Sequence, residues 1–469
     1  LGCPLPDSYG DHVFGGPFLS GLPHLCRLRC PRWRLRLWGG FSLSFSHHTT
    51  TEVADSDERE STYVSTAFPL SPGDVLNTDP FDVPVEMPDD QPMAIRGLWG
   101  EIVDDRNVSV PLDEVYVHHW FLFYTTPDAG NELVGKLGTG AETRGTPIVS
   151  LTAPYAFTTA GKEKWWLNVH LLMLQNVTNV PACIQCLCAP DGRHGSFNCC
   201  PDGAHCRTTL DPFVTSTGTD AFDDPHHCPN CNSDPDAVFG PPTPGGFLAR
   251  PAPKYYRVKY TVRYGCVSPI VRPVRANMII DAVGGRHEWN VFPAEGCMKP
   301  SASHLAVAIK ERRLGDSGHD DIADRCVDTK TATVLVNEDF HLIGVRAHMH
   351  IGAIDAVLAG ISSNSSDTDD GIGIDWRCDM TAIYGCTPHK AGHEEGYVTS
   401  ITQCHYHDGK GPMLRKGDRL QYTVRYRRDK HYGGVMGGGT LVGHFPADDG
   451  MSGVASTSWP FMNGQLSYL

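Results

Sequence analysis

The chain contains no uninterrupted apolar run approaching the ~18 residues a membrane-spanning helix requires. It also lacks a P-loop, a dinucleotide-binding glycine fingerprint and a hydrolase nucleophile elbow, so the motif-borne nucleotide and acyl-transfer chemistries have no foothold. Positive charge is scarce as well. Against 54 Asp and Glu there are 39 Lys and Arg, and the net charge of −15 disfavours nucleic acid or an anionic membrane as partner. From Thr62 to Leu174 no long amphipathic helical pattern occurs; apolar runs alternate with Pro, Gly and Asp punctuation, as in an antiparallel sandwich. With 40% hydrophobic and 20% charged residues, 469 positions suffice for two or three globular domains.

What the chain does have is histidine in a telling order: His118-His119, His170, His348-Met349-His350, then Met436 inside a glycine run. With 23 histidines, roughly one His-His and one His-x-His pair arise by chance. The chain has three of the first kind and two of the second, so the pairs alone are weak and their context decides. Residues 114–124 are rich in β-branched and aromatic side chains and read as a strand, as do residues 164–173 around His170. Residues two apart on a strand share a face, so His348 and His350 can reach one ion. Adjacent His118 and His119 point to opposite faces, and can share an ion only if a bulge or strong twist re-aims one or if they bind through different ring nitrogens. Imidazole suits copper in either oxidation state, and a thioether favours Cu(I), the state that reacts with dioxygen. Three histidines, then two histidines and a methionine, match the needs of two copper ions with different duties.

The runs VHHWFLF, GTGAETRG (Gly138 to Gly145), WWLNVH and VRAHMHIG, with the late methionine, resemble the type II, ascorbate-dependent copper monooxygenases, in particular peptidylglycine alpha-hydroxylating monooxygenase. A closer resemblance is to the plant-type stress up-regulated nodulin family, through VPLDEVYVHHW, GAETR, EKWWLNVH, CIQCLC, NCC, HEEGYVTSITQC and GVMG in shared order from about Ser61 to His444. The resemblance implies that His118, His119 and His170 hold an electron-storing copper in a first β-sandwich. It implies that His348, His350 and Met436 hold an oxygen-activating copper in a second. Arg346 falls where the peptidylglycine enzymes place an arginine that grips the substrate carboxylate; a structural ion pair with Asp or Glu is the alternative. Gly438 and Thr440 stand where those enzymes carry an asparagine and a tyrosine that touch substrate, which argues against an amidating substrate. The implied activity is hydroxylation of a C–H bond in a small-molecule or peptide substrate, with two copper ions, dioxygen and ascorbate as reductant. The alternatives are a non-catalytic secreted stress-related or binding protein that kept the fold, and a copper-sequestering protein with closed coordination.

Seventeen cysteines, and glycosylation sequons at Asn107, Asn176 and Asn364, favour a secreted or luminal location. Setting aside Cys3, Cys26 and Cys30 leaves an even number of disulfide candidates: Cys183, Cys186, Cys188, Cys199, Cys200, Cys206, Cys228, Cys231, Cys266, Cys297, Cys326, Cys378, Cys386 and Cys404. The first eight lie in a stretch dominated by Pro, Gly, Asp and Thr, where disulfides compete with tetrahedral zinc as the cross-link. His389, His393, His405 and His407 form a second patch that reads as surface histidines, with metal binding as the rival.

The fold expected is all-β: two antiparallel jelly-roll-like β-sandwich domains with a cysteine-rich loop insert. Residues 1–60 read as an N-terminal extension, either unstructured or a poor signal region. The first sandwich is expected over 61–180, the insert over 181–254, the second sandwich over 255–447 and a tail over 448–469. Alternation over Tyr256 to Tyr264 and over Leu420 to Tyr426 predicts strands with one buried face; both contain YTVRY, and two similar strands of one sandwich are expected rather than a true repeat. A short helix is expected over Ser301 to Leu314, and a Ser/Asp loop over Ser362 to Gly371.

Overall fold

The structure is a computed structural model that describes residues 43–445, apart from 72–74, 79–82, 89–90, 126–134, 176–251, 284–287, 298–324, 363–372, 408–409 and 431. The eight insert cysteines, Asn176, Asn364, the helix expected at 301–314 and the tail therefore lie outside the described residues.

The described residues are all-β, with strands in four sheets. The first sheet runs β1 (Phe45–Glu52), β2 (Arg59–Ser65), β12 (Lys254–Cys266), β6 (Met93–Asp104), β10 (Tyr155–Thr158), β13 (Arg272–Pro273), with β3 (Phe68–Leu70) on β12 and β9 (Val149–Ser150) on β6. The second runs β4 (Val75–Asn77), β11 (Lys164–Met173), β7 (Val115–Thr125), β8 (Gly135–Thr139), with β5 (Pro84–Val85) on β11. The third runs β14 (Arg275–Asp281), β24 (Tyr432–His444), β17 (Phe340–Met349), β21 (Cys404–His405), with β15 (Glu288–Val291) on β24 and β22 (Met413–Leu414) on β17. The fourth runs β16 (Val327–Leu335), β23 (Arg419–Arg427), β18 (Ala353–Ser362), β19 (Gly373–Tyr384), β20 (Val398–Ile401).

Alternation fixes which faces meet. Tyr256, Val258, Tyr260 and Val262 on β12 are buried, whereas Arg257, Lys259 and Arg263 between them are not. The buried face packs on the second sheet: the Tyr260 and Trp120 rings lie 6.5 Å apart, and Tyr256 Oη reaches Met173 Sδ at 3.4 Å. Each such side chain contributes about 1.5–3 kcal/mol of apolar burial. In the other pair of sheets, Tyr422, Val424 and Tyr426 on β23 face β24 and β15. The Tyr422 hydroxyl donates to Gly438 O at 2.7 Å, and the Trp289 and Tyr426 rings are 5.4 Å apart. Close approach requires glycine here, since a Cβ on Gly437 would sit 2.8 Å from the Trp289 ring. A Cys378–Cys404 disulfide staples β19 to β21 across this second sandwich, and Cys297 pairs with Cys326.

Three sequence expectations are corrected. Residues 45–52, assigned to the extension, form β1 and pair antiparallel with β2, because their Thr-rich run suits a strand. The sandwich boundary expected at 255 lies near 274, since β12 is central to the first sheet between β2 and β6. The two YTVRY strands, expected in one sandwich, are therefore divided between both. Among the disulfide candidates, Cys266 is bonded but Cys386 is a free, exposed thiol.

Candidate metal centre

His118, His119 and His170 converge: one ligand atom from each lies within 4.8 Å of the others, and all three residues are buried. The device that brings the adjacent pair together is a β-bulge. Along β11 and β7, His170 pairs with His119 and Leu171 with Val117, so His118 is the extra residue opposite a single step of β11. A bulge is one of the routes that strand periodicity leaves open to adjacent histidines, and it is the one found here. Ring centroids are 4.6 Å apart for His118 and His170 and 5.0 Å for His119 and His170.

The three imidazoles differ in their hydrogen bonds. His119 Nε2 lies 2.8 Å from Asn168 Oδ1, and Asn168 Nδ2 in turn donates to Thr78 O, so the His119 proton belongs on Nε2 and the lone pair on Nδ1. Both ring nitrogens of His170, and Nδ1 of His118, are buried without a hydrogen-bond partner. Burial lowers the His170 pKa to about 3. Burial, aided by the neighbouring imidazoles, holds His118 well below the ordinary histidine value. These rings are neutral, which is the form that binds a metal.

His348 and His350 approach the same place from the second sandwich. The His350 ring lies 4.9 Å from that of His118 and 5.1 Å from that of His348. On β24, Gly438 pairs with His348 and Gly437 with Met349, and His350 and Met436 are the next residues along the two chains. Gly437 and Gly439 face the interior, so alternation puts Met436 and Gly438 on the other face of β24, the face to which His348 belongs by register. The Tyr426 hydroxyl joins the two strands, accepting from His350 N at 2.8 Å and donating to Met436 O at 2.6 Å. Histidines of the two sets are thus in contact. They meet at one contact between the sandwiches.

That contact is closed by groups to which sequence reasoning assigned no role. Glu142, in the single turn Ala141–Arg144, places Oε1 2.7 Å from His348 Nδ1. Arg144, on the same turn, donates from Nη1 to Glu394 Oε1 at 2.7 Å. Glu394 also accepts from Leu112 N and Gly392 N. The GAETRG motif was the only sequence signal for this turn.

Arg346 shares the face of His348 but does not enter the histidine cluster. Its Nη1 donates to Pro147 O at 3.0 Å and to Ile148 O, spanning the two sandwiches. Its Nη2 is buried without a hydrogen-bond partner, and burial lowers its pKa to about 10. It lines a small cleft with Ile148, Phe157, Val274, Val345 and His405. Thr440, another position flagged from sequence, pairs with Arg346 across the β17–β24 ladder. The second histidine patch does not converge on a metal among the described residues. His389 pairs with Asp113, and His407 contacts Thr152.

The fold and site define an all-β protein of two sandwiches with a buried histidine centre between them. The chain belongs to the stress up-regulated Nod 19 family, whose profile matches residues 56–215 and 246–442. The break in that match falls inside the cysteine-rich insert. A search of curated proteins returned no match.

Proposed function

We propose that this protein is a copper redox protein, similar in chemistry to the type II ascorbate-dependent monooxygenases, that hydroxylates a C–H bond of a small molecule. One observation carries the reading: five histidines from two sandwiches, four of them almost fully buried, meet beside the strand that bears Met436. His118, His119 and His170 would hold the electron-storing ion, and His348, His350 and Met436 the ion whose thioether ligand favours Cu(I). Bound copper would supply one-electron and dioxygen chemistry, with ascorbate as external reductant. The chain's own part is to hold the imidazoles neutral, to orient His119 through Asn168, and to exclude water by burial. The buried, still cationic Arg346 at the cleft suits a carboxylate-bearing substrate. The Cys297–Cys326 and Cys378–Cys404 disulfides, the bonded Cys266 and the exposed Asn107 sequon support a secreted or luminal location.

A non-catalytic copper holder is the second reading. It is favoured by the burial of the ligands and by a cleft lined by Arg346 but by none of the five histidines. Copper stoichiometry on the purified full chain, with ascorbate-driven oxygen uptake, separates these. Two coppers with uptake that His118→Ala abolishes supports the hydroxylase; two coppers without uptake supports the holder. A chain that takes up no copper refutes both.

A further inference from the structure

Resting on the copper reading above, we propose that Glu142 is a positioning residue which the first sandwich supplies to the ligand set of the second. Glu142 follows β8 and is 1% exposed, an unusual place for a carboxylate unless it is held by specific partners. Its Oε1 accepts from His348 Nδ1 at 2.7 Å and from the Thr139 hydroxyl at 3.2 Å. A neutral imidazole has one N–H, and donating it from Nδ1 leaves the lone pair on Nε2. Nε2 of His348 is the buried ring nitrogen without a hydrogen-bond partner, so the bond to Glu142 selects the atom that would face the metal.

The surroundings are built for this contact. Gly140 has no side chain because His348 occupies the space: a Cβ there would lie 2.4 Å from His348 Cε1 and 3.2 Å from Glu142 Oε2. Two residues beyond Glu142, Arg144 is anchored on Glu394 of the second sandwich. One short turn therefore docks the sandwiches and reaches into the centre, so the His348, His350 and Met436 set is complete only in the docked molecule. Nothing in the strand pattern of the second sandwich could supply this acceptor, which lies 206 residues from His348 in sequence.

The test is a copper(I) titration of the purified full chain against a competing chelator, with X-ray absorption to count histidine and sulfur ligands. The parent should bind two ions. Glu142→Ala should keep the three-histidine ion at parental affinity and weaken the second by roughly 10–100-fold, with loss of ordered histidine scattering. Glu142→Gln keeps an oxygen acceptor for Nδ1–H and should fall between the two. Parental affinity for both ions in Glu142→Ala would overturn the proposal. So would equal loss of both ions alongside a lower melting temperature of the metal-free variant, which would make Glu142 a structural residue. A parent chain that binds no copper overturns the copper reading itself, and is seen before any variant is made.

Discussion

Glu394→Ala tests the joint between the sandwiches. The carboxylate is completely buried, and its Oε1 collects Arg144 Nη1 at 2.7 Å, Gly392 N at 2.9 Å and Leu112 N at 3.0 Å. Removing one partner of a buried ion pair costs about 3–5 kcal/mol, because the other charge is left uncompensated. Arg144 keeps 16% exposure, its bond to Val110 O and the Glu101 carboxylate 3.8 Å from its Nε, so the lower end, about 3 kcal/mol, applies. The Leu112 N–H left without its acceptor adds about 1 kcal/mol. A chain of 469 residues unfolds with an entropy of ~1 kcal/mol per kelvin, so a loss of about 4 kcal/mol lowers the melting temperature by about 4 °C. Differential scanning calorimetry of the metal-free full chain reads this directly. Glu394→Gln, which retains a neutral acceptor, should lose about half as much. If Glu394→Ala melts within about 1 °C of the parent, the pair does not hold the sandwiches together and the reasoning fails.

Acid should destabilise the metal-free protein selectively through its buried imidazoles. The His170 pKa falls to about 3 and that of His118 is lowered, so below pH ~6.5 the unfolded chain binds protons that the folded chain refuses. Stability is retained above that pH and drops by about 1.4 kcal/mol per pH unit for His170 between pH ~6.5 and ~3; His170→Asn, followed by urea unfolding, should flatten that slope, and an unchanged slope would exclude the histidine as its source. Alkylation of the native, unreduced protein should label Cys386 and spare Cys297, Cys326, Cys378 and Cys404; peptide mapping that finds the label on any of these four would contradict the pairing.

Much of the architecture was legible in the chain because strand periodicity is local. Alternation over Tyr256 to Tyr264 and Leu420 to Tyr426 identifies β12 and β23 and their buried faces without any knowledge of neighbours. The three histidines His118, His119 and His170 could be picked out from residue type and strand context, and the family from the order of short motifs. Sandwich membership was not legible. Two strands carrying the same YTVRY string obey the same alternation, and only pairing decides that one lies between β2 and β6 and the other between β16 and β18.

The site itself divides in the same way. Sequence supplies the ligand types and their spacing, and it states the geometric obstacle that adjacent histidines on a strand diverge. The bulge that removes the obstacle is a property of two paired strands, fixed by the register of β11 against β7, and neither strand encodes it alone. Glu142 with His348, and Arg144 with Glu394, are separated by 206 and 250 residues. No local pattern links groups so far apart; burial at the sandwich contact does, because a charge or polar ring removed from water must find its partner on whatever surface closes over it. The approach of His350 to His118, which brings the two ligand sets into contact, is decided at that joint and nowhere earlier.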